Sequence, residues 1–400
     1  MSEHATRLRC RHLVTAAHGV LDGAVLVIAD GEIIGIEAAD SHPTASQMAA
    51  EIDGWVVPGF VDTHGHGGGG ATYATTDPDE ARKARRFHRE HGTTTAIASL
   101  VTAELEVLAA QIAALRPLVE AGELAGIHLE GPFLSERRKG AHDPALLRDP
   151  DPAVVMDLVD RSHGTVTMVT LAPELAGGLL SVSELADAGV VAAIGHTDAD
   201  DPTAAAALDA GATVVTHLFN AMPSIHHREP GPIPRLLADD RCEIELIADG
   251  FHLHPQVIEL AVAAAGPDRV ALVTDAMAAA GMPDGDFVLG ELQVAVRDGQ
   301  ARLVEPDGTP GSIAGSTLTM AAAFERMVGW GYPIEQVAAM AATTPARWHG
   351  LDTVGELAPG CRADLCVVDD HGQLLRVMQA GSWVVPQTDE EVSSHAGRTT

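Results

Sequence analysis

Two segments, VVAAIGHTDA (190–199) and GATVVTHLFNAMP (211–223), decide the fold. Each opens with a strand-length run of β-branched and Ala residues and stops at a histidine, His196 in the first and His217 in the second. The stretch between them, Asp200 to Ala210, is Ala-rich with helical spacing, so the unit reads strand, helix, strand. A parallel βαβ unit puts both strand ends on one side of the sheet, which brings the two imidazoles to one rim as a candidate metal edge. In a chain with 20 histidines, either one alone would mean little.

Outward from this unit the same alternation repeats. Candidate strands cover Trp55–Asp62, Thr94–Leu100, Gly126–Glu130, Val166–Leu171, Val190–Gly195, Thr213–Thr216, Glu243–Ala248 and Val270–Thr274, with helix-patterned segments between most of them. Eight apolar strands separated by helices are what a closed (β/α)₈ TIM barrel needs, because its parallel strands are buried on both faces. The chain ends differ. Residues 7 to 38 read as short strands with a hairpin turn at Asp30-Gly31, and β character returns in ADLCVVD, LLRVMQA and SWVV. The expected organisation is an α/β barrel over 58–351, a small β-sandwich built from 1–57 and 352–386, and a polar, disordered tail over 387–400. One more hairpin, around Arg297-Asp298-Gly299, is expected on a long loop from Ala276 to about Ser316.

Charge and composition narrow the partners. The 400 residues carry 25 basic against 56 acidic side chains, a formal charge of −31. A field of that sign repels nucleic-acid phosphate and anionic lipid, so neither is an expected partner. No apolar run reaches the roughly 18 residues of a membrane span, and the MSEHATRLRC start lacks the apolar stretch of a secretory signal. A soluble, cytoplasmic protein is expected. Cys10, Cys242, Cys361 and Cys366 have neither metal-finger nor redox spacing and read as buried, reduced thiols.

A barrel gives the strand ends meaning, since its carboxyl-terminal rim carries the active site. Strand one ends at Asp62-Thr63-His64-Gly65-His66, strand three at Glu130, strands five and six at His196 and His217, and strand eight at Asp275. Residues two apart in a strand point the same way, so His64 and His66 can face one ion. Six metal-compatible side chains then converge on one mouth. Both lysines, Lys83 and Lys139, fall away from strand ends, which leaves Glu130 as the natural bridge between two ions. Glu130, His196 and His217 form an N,N,O set with room for water, the arrangement of a hydrolytic zinc site, and His64, His66 and Asp275 can hold a second ion against the same carboxylate.

The motifs His64-x-His66, HLEGPF (128–133), KGAH (139–142), GHTDA (195–199), THLFNAMPSIHHREPG (216–231), ADGFH (248–252), LVTDAMAAAG (272–281) and IAGSTLTM (313–320) carry a family resemblance. Together they resemble the N-acetylglucosamine-6-phosphate deacetylases of the amidohydrolase superfamily, in order and across the whole barrel. The resemblance implies hydrolysis of N-acetyl-D-glucosamine 6-phosphate to D-glucosamine 6-phosphate and acetate, in amino-sugar catabolism and cell-wall recycling. It implies one or two divalent ions per subunit, zinc first among candidates and iron, manganese or cobalt behind it. An ion held by Glu130, His196 and His217 would lower the pKa of its water and supply hydroxide, with Asp275 as general base and then acid. His142 resembles the family histidine that contacts the acetyl oxygen. Arg228 and His252 resemble the residues that reach the phosphate of a neighbouring subunit's substrate, which implies a homodimer. Ala141, Asn220, Ala221, the Asp249-Gly250-Phe251-His252 segment and the Ile313-Ala314-Gly315 loop resemble the family's sugar contacts.

Two rivals stand beside this reading. Another amidohydrolase, acting on a cyclic amide or an N-acyl amino acid, would keep the metal residues and have no use for Arg228 as a phosphate ligand. A non-catalytic amidohydrolase-like scaffold would have lost some of the ligands, and here the full set is present.

Overall fold

Eight parallel strands make the central sheet of the computed structural model, which describes residues 5–38 and 50–385, so that the expected tail over 387–400 lies outside the described residues. In chain order they are Phe60–Gly65, Thr93–Val101, Gly126–Glu130, Val166–Leu171, Val191–Ile194, Val214–Val215, Glu243–Ile247 and Val270–Val273. Each is hydrogen-bonded to the next in parallel register. The first and last strands meet at the carboxyl-terminal rim, where the Asp275 N–H donates to the His64 carbonyl at 2.8 Å and the His66 N–H to that of Ala276 at 2.7 Å. Beneath this seam the buried Asp62 carboxylate accepts the Thr274 hydroxyl at 2.6 Å and the Thr274 N–H at 3.2 Å. The barrel therefore closes at the residues that carry the candidate donors.

A helix follows each strand: Pro78–Glu90, Leu105–Glu120, Pro152–Arg161, Gly178–Asp187, Asp201–Asp209, Ile233–Ala238, Pro255–Ala265 and Met320–Gly329. Local sequence starts several of them. Asp77-Pro78 and Asp151-Pro152 each combine a side-chain cap on an early backbone N–H with proline at the first helical position, where its missing N–H costs nothing. Thr319 caps the last through the Ala322 N–H, with Met320 rather than proline at the first position. Among the described residues, no helix is long and apolar enough to cross a membrane.

Helix 78–90 also contributes a titratable buried group. The His88 ring donates from Nε2 to the Gly67 carbonyl at 2.8 Å, and burial, opposed only in part by that bond, lowers its pKa from 6.5 to about 4. The neutral ring is favoured in the folded state. Stability from this group is complete above pH 6.5 and is lost as pH falls toward 4, at most about 3 kcal/mol. Thermal melts of His88→Gln, whose amide keeps the bond to Gly67, should lose less stability between pH 7 and pH 4.5 than wild type; parallel profiles would remove His88 from the account.

Strands from both chain ends join in one eight-stranded sheet in the order Ser382–Trp383, Leu374–Gln379, Leu365–Val368, Ala50–Pro58, Thr6–Thr15, Val25–Ala29 and Glu32–Glu37, with Gly19–Asp22 paired to Thr6–Thr15. Leu8, Leu13, Leu26, Ile33, Val56 and Leu365 fill its core. Here the expected first barrel strand needs correction. Trp55–Pro58 belong to this outer sheet, antiparallel to Leu365–Val368, and the barrel begins only at Phe60. The break is Pro58-Gly59, since proline has no N–H to continue a ladder.

The segment after strand eight also differs from expectation. FVLGELQVAV folds as two strands, turning at Gly290-Glu291, and the insert is a four-stranded antiparallel sheet (Gly285–Leu289, Leu292–Arg297, Gln300–Val304, Pro310–Ile313). Its Val294, Val296, Ala301 and Leu303 pack with Met277 and Val101, so it stands directly over the rim.

Candidate functional site

Glu130 is the hub of the rim. Its Oε1 lies 3.2 Å from His196 Nε2 and 3.1 Å from His217 Nε2, and these two nitrogens are 3.1 Å apart. Its Oε2 lies 3.1 Å from His66 Nε2, which is also 3.1 Å from Asp275 Oδ1. His64 Nε2 completes the group, 3.3 Å from His66 Nε2, 3.5 Å from Glu130 and 3.6 Å from Asp275. All six side chains are buried.

Hydrogen bonds behind the rings decide what these contacts are. Nδ1 of His196 faces the Arg138 carbonyl at 2.8 Å, and Nδ1 of His66 faces the Ser99 carbonyl at 3.1 Å. A carbonyl only accepts, so both rings carry their proton at Nδ1. His64 Nδ1 likewise points at the Glu245 carboxylate, 3.1 Å away. With Nδ1 committed behind them, all three rings turn Nε2 toward Glu130, and His64 and His66 toward Asp275 as well, so the centre of the group must be filled by protons or by a cation. Such a group of acceptors is stable around a cation. Two donors about 2.1 Å from one ion at the tetrahedral angle lie about 3.4 Å apart, close to the spacing seen across Glu130, His196 and His217.

The electrostatics say the same. Burial pulls the His66 imidazole down, but hydrogen bonds and charge from Asp275 and Glu130 outweigh it and lift its pKa to about 9. His64 is driven well above its ordinary value against burial by Glu130, Glu245 and Asp275. Glu130 and Asp275, despite burial, are held well below the carboxylate range by the surrounding histidines. The pocket demands positive charge at its centre. His64, His66, Glu130 and Asp275 form one group able to hold an ion, and Glu130 with His142 and His196 forms another.

Three donors sit just past their strands in the left-handed region, His196 at φ 48°, His217 at φ 30° and Asp275 at φ 47°. Non-glycine residues avoid this region by about 1 kcal/mol or more each, and such strain collects where side chains are held for function.

Above the donors opens a cavity of about 380 Å³. Of the residues expected to contact substrate, Ala141, His142, Asn220, Ala221, His252, Ile313 and Gly315 line it. Arg228, Asp249, Gly250, Phe251 and Ala314 do not. Asp249 instead positions His252, accepting its Nδ1–H at 2.7 Å, while Phe251 points to solvent and Ala314 is packed under the insert. Among the described residues, the exposed Arg228 guanidinium hydrogen-bonds only to its neighbour His227, at 2.7 Å. His252 lines its own chain's cavity, where the resemblance had put it at a neighbouring subunit's substrate.

Several supporting residues escaped the sequence reading. Arg137 and Arg138 line the cavity and share Asp198, and the Thr102 hydroxyl lies 2.8 Å from His142 Nδ1. Glu245, fully buried inside the barrel, orients His64 and meets Thr63 Oγ1 at 3.3 Å. Its signal was an acid in the middle of the apolar strand EIELI. Partners behind metal-binding imidazoles set affinity, so Glu245→Gln should weaken metal binding by about 10–100-fold in a chelator competition. Unchanged affinity would detach Glu245 from the site.

A (β/α)₈ barrel whose mouth gathers four histidines and two carboxylates around one centre belongs to the class of metal-dependent hydrolases. The sequence pattern of the amidohydrolase family matches residues 55–390. An N-acetylgalactosamine-6-phosphate deacetylase of Escherichia coli O157:H7 is 37% identical over 368 residues, 90% of this chain and 94% of that protein. An N-acetylglucosamine-6-phosphate deacetylase of Vibrio furnissii is 34% identical over 388 residues, 95% of each chain. Among solved structures, a mutant of the N-acetyl-D-glucosamine-6-phosphate deacetylase of Mycobacterium smegmatis, in complex with N-acetyl-D-glucosamine 6-phosphate, superposes with a TM-score of 0.90 at 44% identity, covering 96% of this chain and 100% of that one. The chain belongs to the amidohydrolase family, among its N-acetylglucosamine-6-phosphate deacetylases.

Proposed function

We propose that the chain hydrolyses N-acetyl-D-glucosamine 6-phosphate to D-glucosamine 6-phosphate and acetate, in amino-sugar catabolism and cell-wall recycling. The observation that carries this reading is the Glu130, His196 and His217 triad, its donor atoms within 3.2 Å of one another on the floor of a cavity that Asp275 and His142 also line. Zinc suits the N,N,O set, with iron, manganese or cobalt as alternatives, and His64, His66 and Asp275 offer a second position against Glu130. A bound divalent ion polarises the acyl oxygen and lowers the pKa of water toward neutrality.

The residues do the rest. Asp275, kept ionised at neutral pH, takes a proton from water as its oxygen adds to the acetyl carbon. It returns that proton to the amine nitrogen as the carbon–nitrogen bond breaks, leaving acetate and a free amino group. His142 assists the acyl oxygen when its Nε2 carries the proton, the tautomer in which the Thr102 hydroxyl donates to Nδ1. His252 and the rim arginines Arg137 and Arg138 supply polar contacts within the cavity, and Arg228, turned outward, serves the phosphate of a second copy in a homodimer. Four buried, unpaired cysteines agree with a cytoplasmic location.

Purified protein given the 6-phosphate sugar, with and without a chelator, should release acetate only when metal is available. The galactosamine epimer belongs in the same assay, given the substrate named for the E. coli relative, as do a cyclic amide and an N-acyl amino acid. No acetate from either sugar in the presence of added divalent metal would overturn the proposal. Arg228→Ala should raise KM for the phosphorylated sugar about tenfold or more and leave turnover of unphosphorylated N-acetylglucosamine nearly unchanged. Equal losses on both substrates would remove the phosphate assignment.

A further inference from the structure

On the opposite face of the barrel lies a cavity whose charge runs against that of the whole chain. About 470 Å³ in volume, it gathers Arg82, Arg85, Arg86, Arg89 and Arg362. Four of these occupy one face of helix 78–90 at spacings of three and four, and the fifth, Arg362, lies just before the strand Leu365–Val368, bridged to Glu32. Arg85 fixes the place: its guanidinium donates to the carbonyls of Thr93 at 2.8 Å and Thr94 at 2.6 Å, the first residues of the second barrel strand. The catalytic mouth is at the other end of that strand.

These arginines are not neutralised alike. Arg82 forks onto Glu123 at 3.1 Å and reaches Asp79 at 2.9 Å, and Arg362 pairs with Asp364. Arg85, buried, donates among the described residues only to the carbonyls of Glu123, Thr93 and Thr94. Burial, with the like charges of Arg89 and Arg362 and against the pull of Tyr73 and Asp364, takes its guanidinium below the ordinary value. Beside it, Nε of Arg89 is buried with no hydrogen-bond partner among the described residues. A buried guanidinium whose hydrogen bonds all go to carbonyls, next to an unsatisfied guanidinium N–H, is costly until an anion completes the group.

We propose that this cavity binds a small phosphate-bearing molecule at a site separate from the catalytic mouth. Planar guanidinium forks match phosphate oxygens two at a time, and the volume falls within the range of small-ligand pockets. Nucleic acid is disfavoured by the charge of −31 around it. The inference does not depend on which substrate the mouth accepts.

The test is calorimetric titration of the full-length, metal-loaded protein with ribose 5-phosphate, with inorganic phosphate and, as a carboxylate control at equal ionic strength, with citrate. Saturable binding of the phosphates is expected, with Arg86→Gln/Arg89→Gln weakening it about tenfold or more, Arg228→Ala leaving it in place, and acetate release in phosphate-free buffer unchanged in the double variant. Absence of saturable binding at millimolar concentration, undiminished binding in the double variant, or equal binding of citrate would overturn the proposal. Should the double variant fail to fold, Arg89→Lys keeps the charge and loses the fork: a several-fold weakening is expected, and unchanged affinity counts against the site.

Discussion

Asp275→Asn should lower kcat for acetate release by about 10³-fold or more while leaving KM within a few-fold of wild type. The amide keeps the shape of the side chain and its place 3.1 Å from His66 Nε2, so the cavity and the Glu130, His196 and His217 triad persist. What goes is the ability to accept a proton at neutral pH. Wild-type Asp275 is held ionised by His64 and His66 despite its burial, which places it in the base form when substrate arrives. A variant retaining a tenth of wild-type kcat would mean that the proton is moved by another group.

Glu130→Gln should cost more, because it removes a charge that both halves of the site share. The carboxylate meets His196 and His217 through Oε1 and His66 through Oε2, and an amide offers one oxygen to an ion in place of two. Loss of a partner behind a ligand costs about 10–100-fold in metal affinity, so loss of the central ligand should exceed 100-fold and leave the purified protein substoichiometric in metal. Activity should fall with the metal content. A Glu130→Gln protein with a full complement of tightly held metal would show that the ion sits elsewhere.

Much of this site was legible from sequence because its donors mark the ends of strands that must be apolar. VVAAIG and GATVVT are apolar throughout, as strands of a parallel sheet buried on both faces must be, and each stops at a histidine. Boundaries were harder to read. The run WVVPGFVD is apolar throughout, and nothing but Pro58-Gly59 shows that it passes from the outer sheet into the barrel. The sixth strand holds only Val214–Val215, since the chain turns at once toward His217 in its left-handed conformation. The insert over the rim was read as one hairpin because Gly290-Glu291 is a weaker turn signal than Asp298-Gly299.

Side chains that act across the barrel were the least visible. Glu245 is 181 residues from His64, and no local pattern announces that they touch. Phe251 and Ala314 belong to motifs whose other members face the cavity, yet one is exposed and the other packs beneath the insert. A motif specifies backbone path more firmly than it specifies which way each side chain turns. The arginine face of helix 78–90 is the same case reversed: ARKARRFHRE looks like an ordinary solvated helix until Arg362 arrives from the far end of the chain.

The central claim is that Glu130, His196 and His217 hold one divalent ion. Crystals of the zinc-loaded protein, measured above the zinc absorption edge, should show an anomalous peak about 2.0–2.2 Å from Glu130 Oε1, His196 Nε2 and His217 Nε2. No peak among those three atoms, with ordered zinc bound elsewhere, would contradict it.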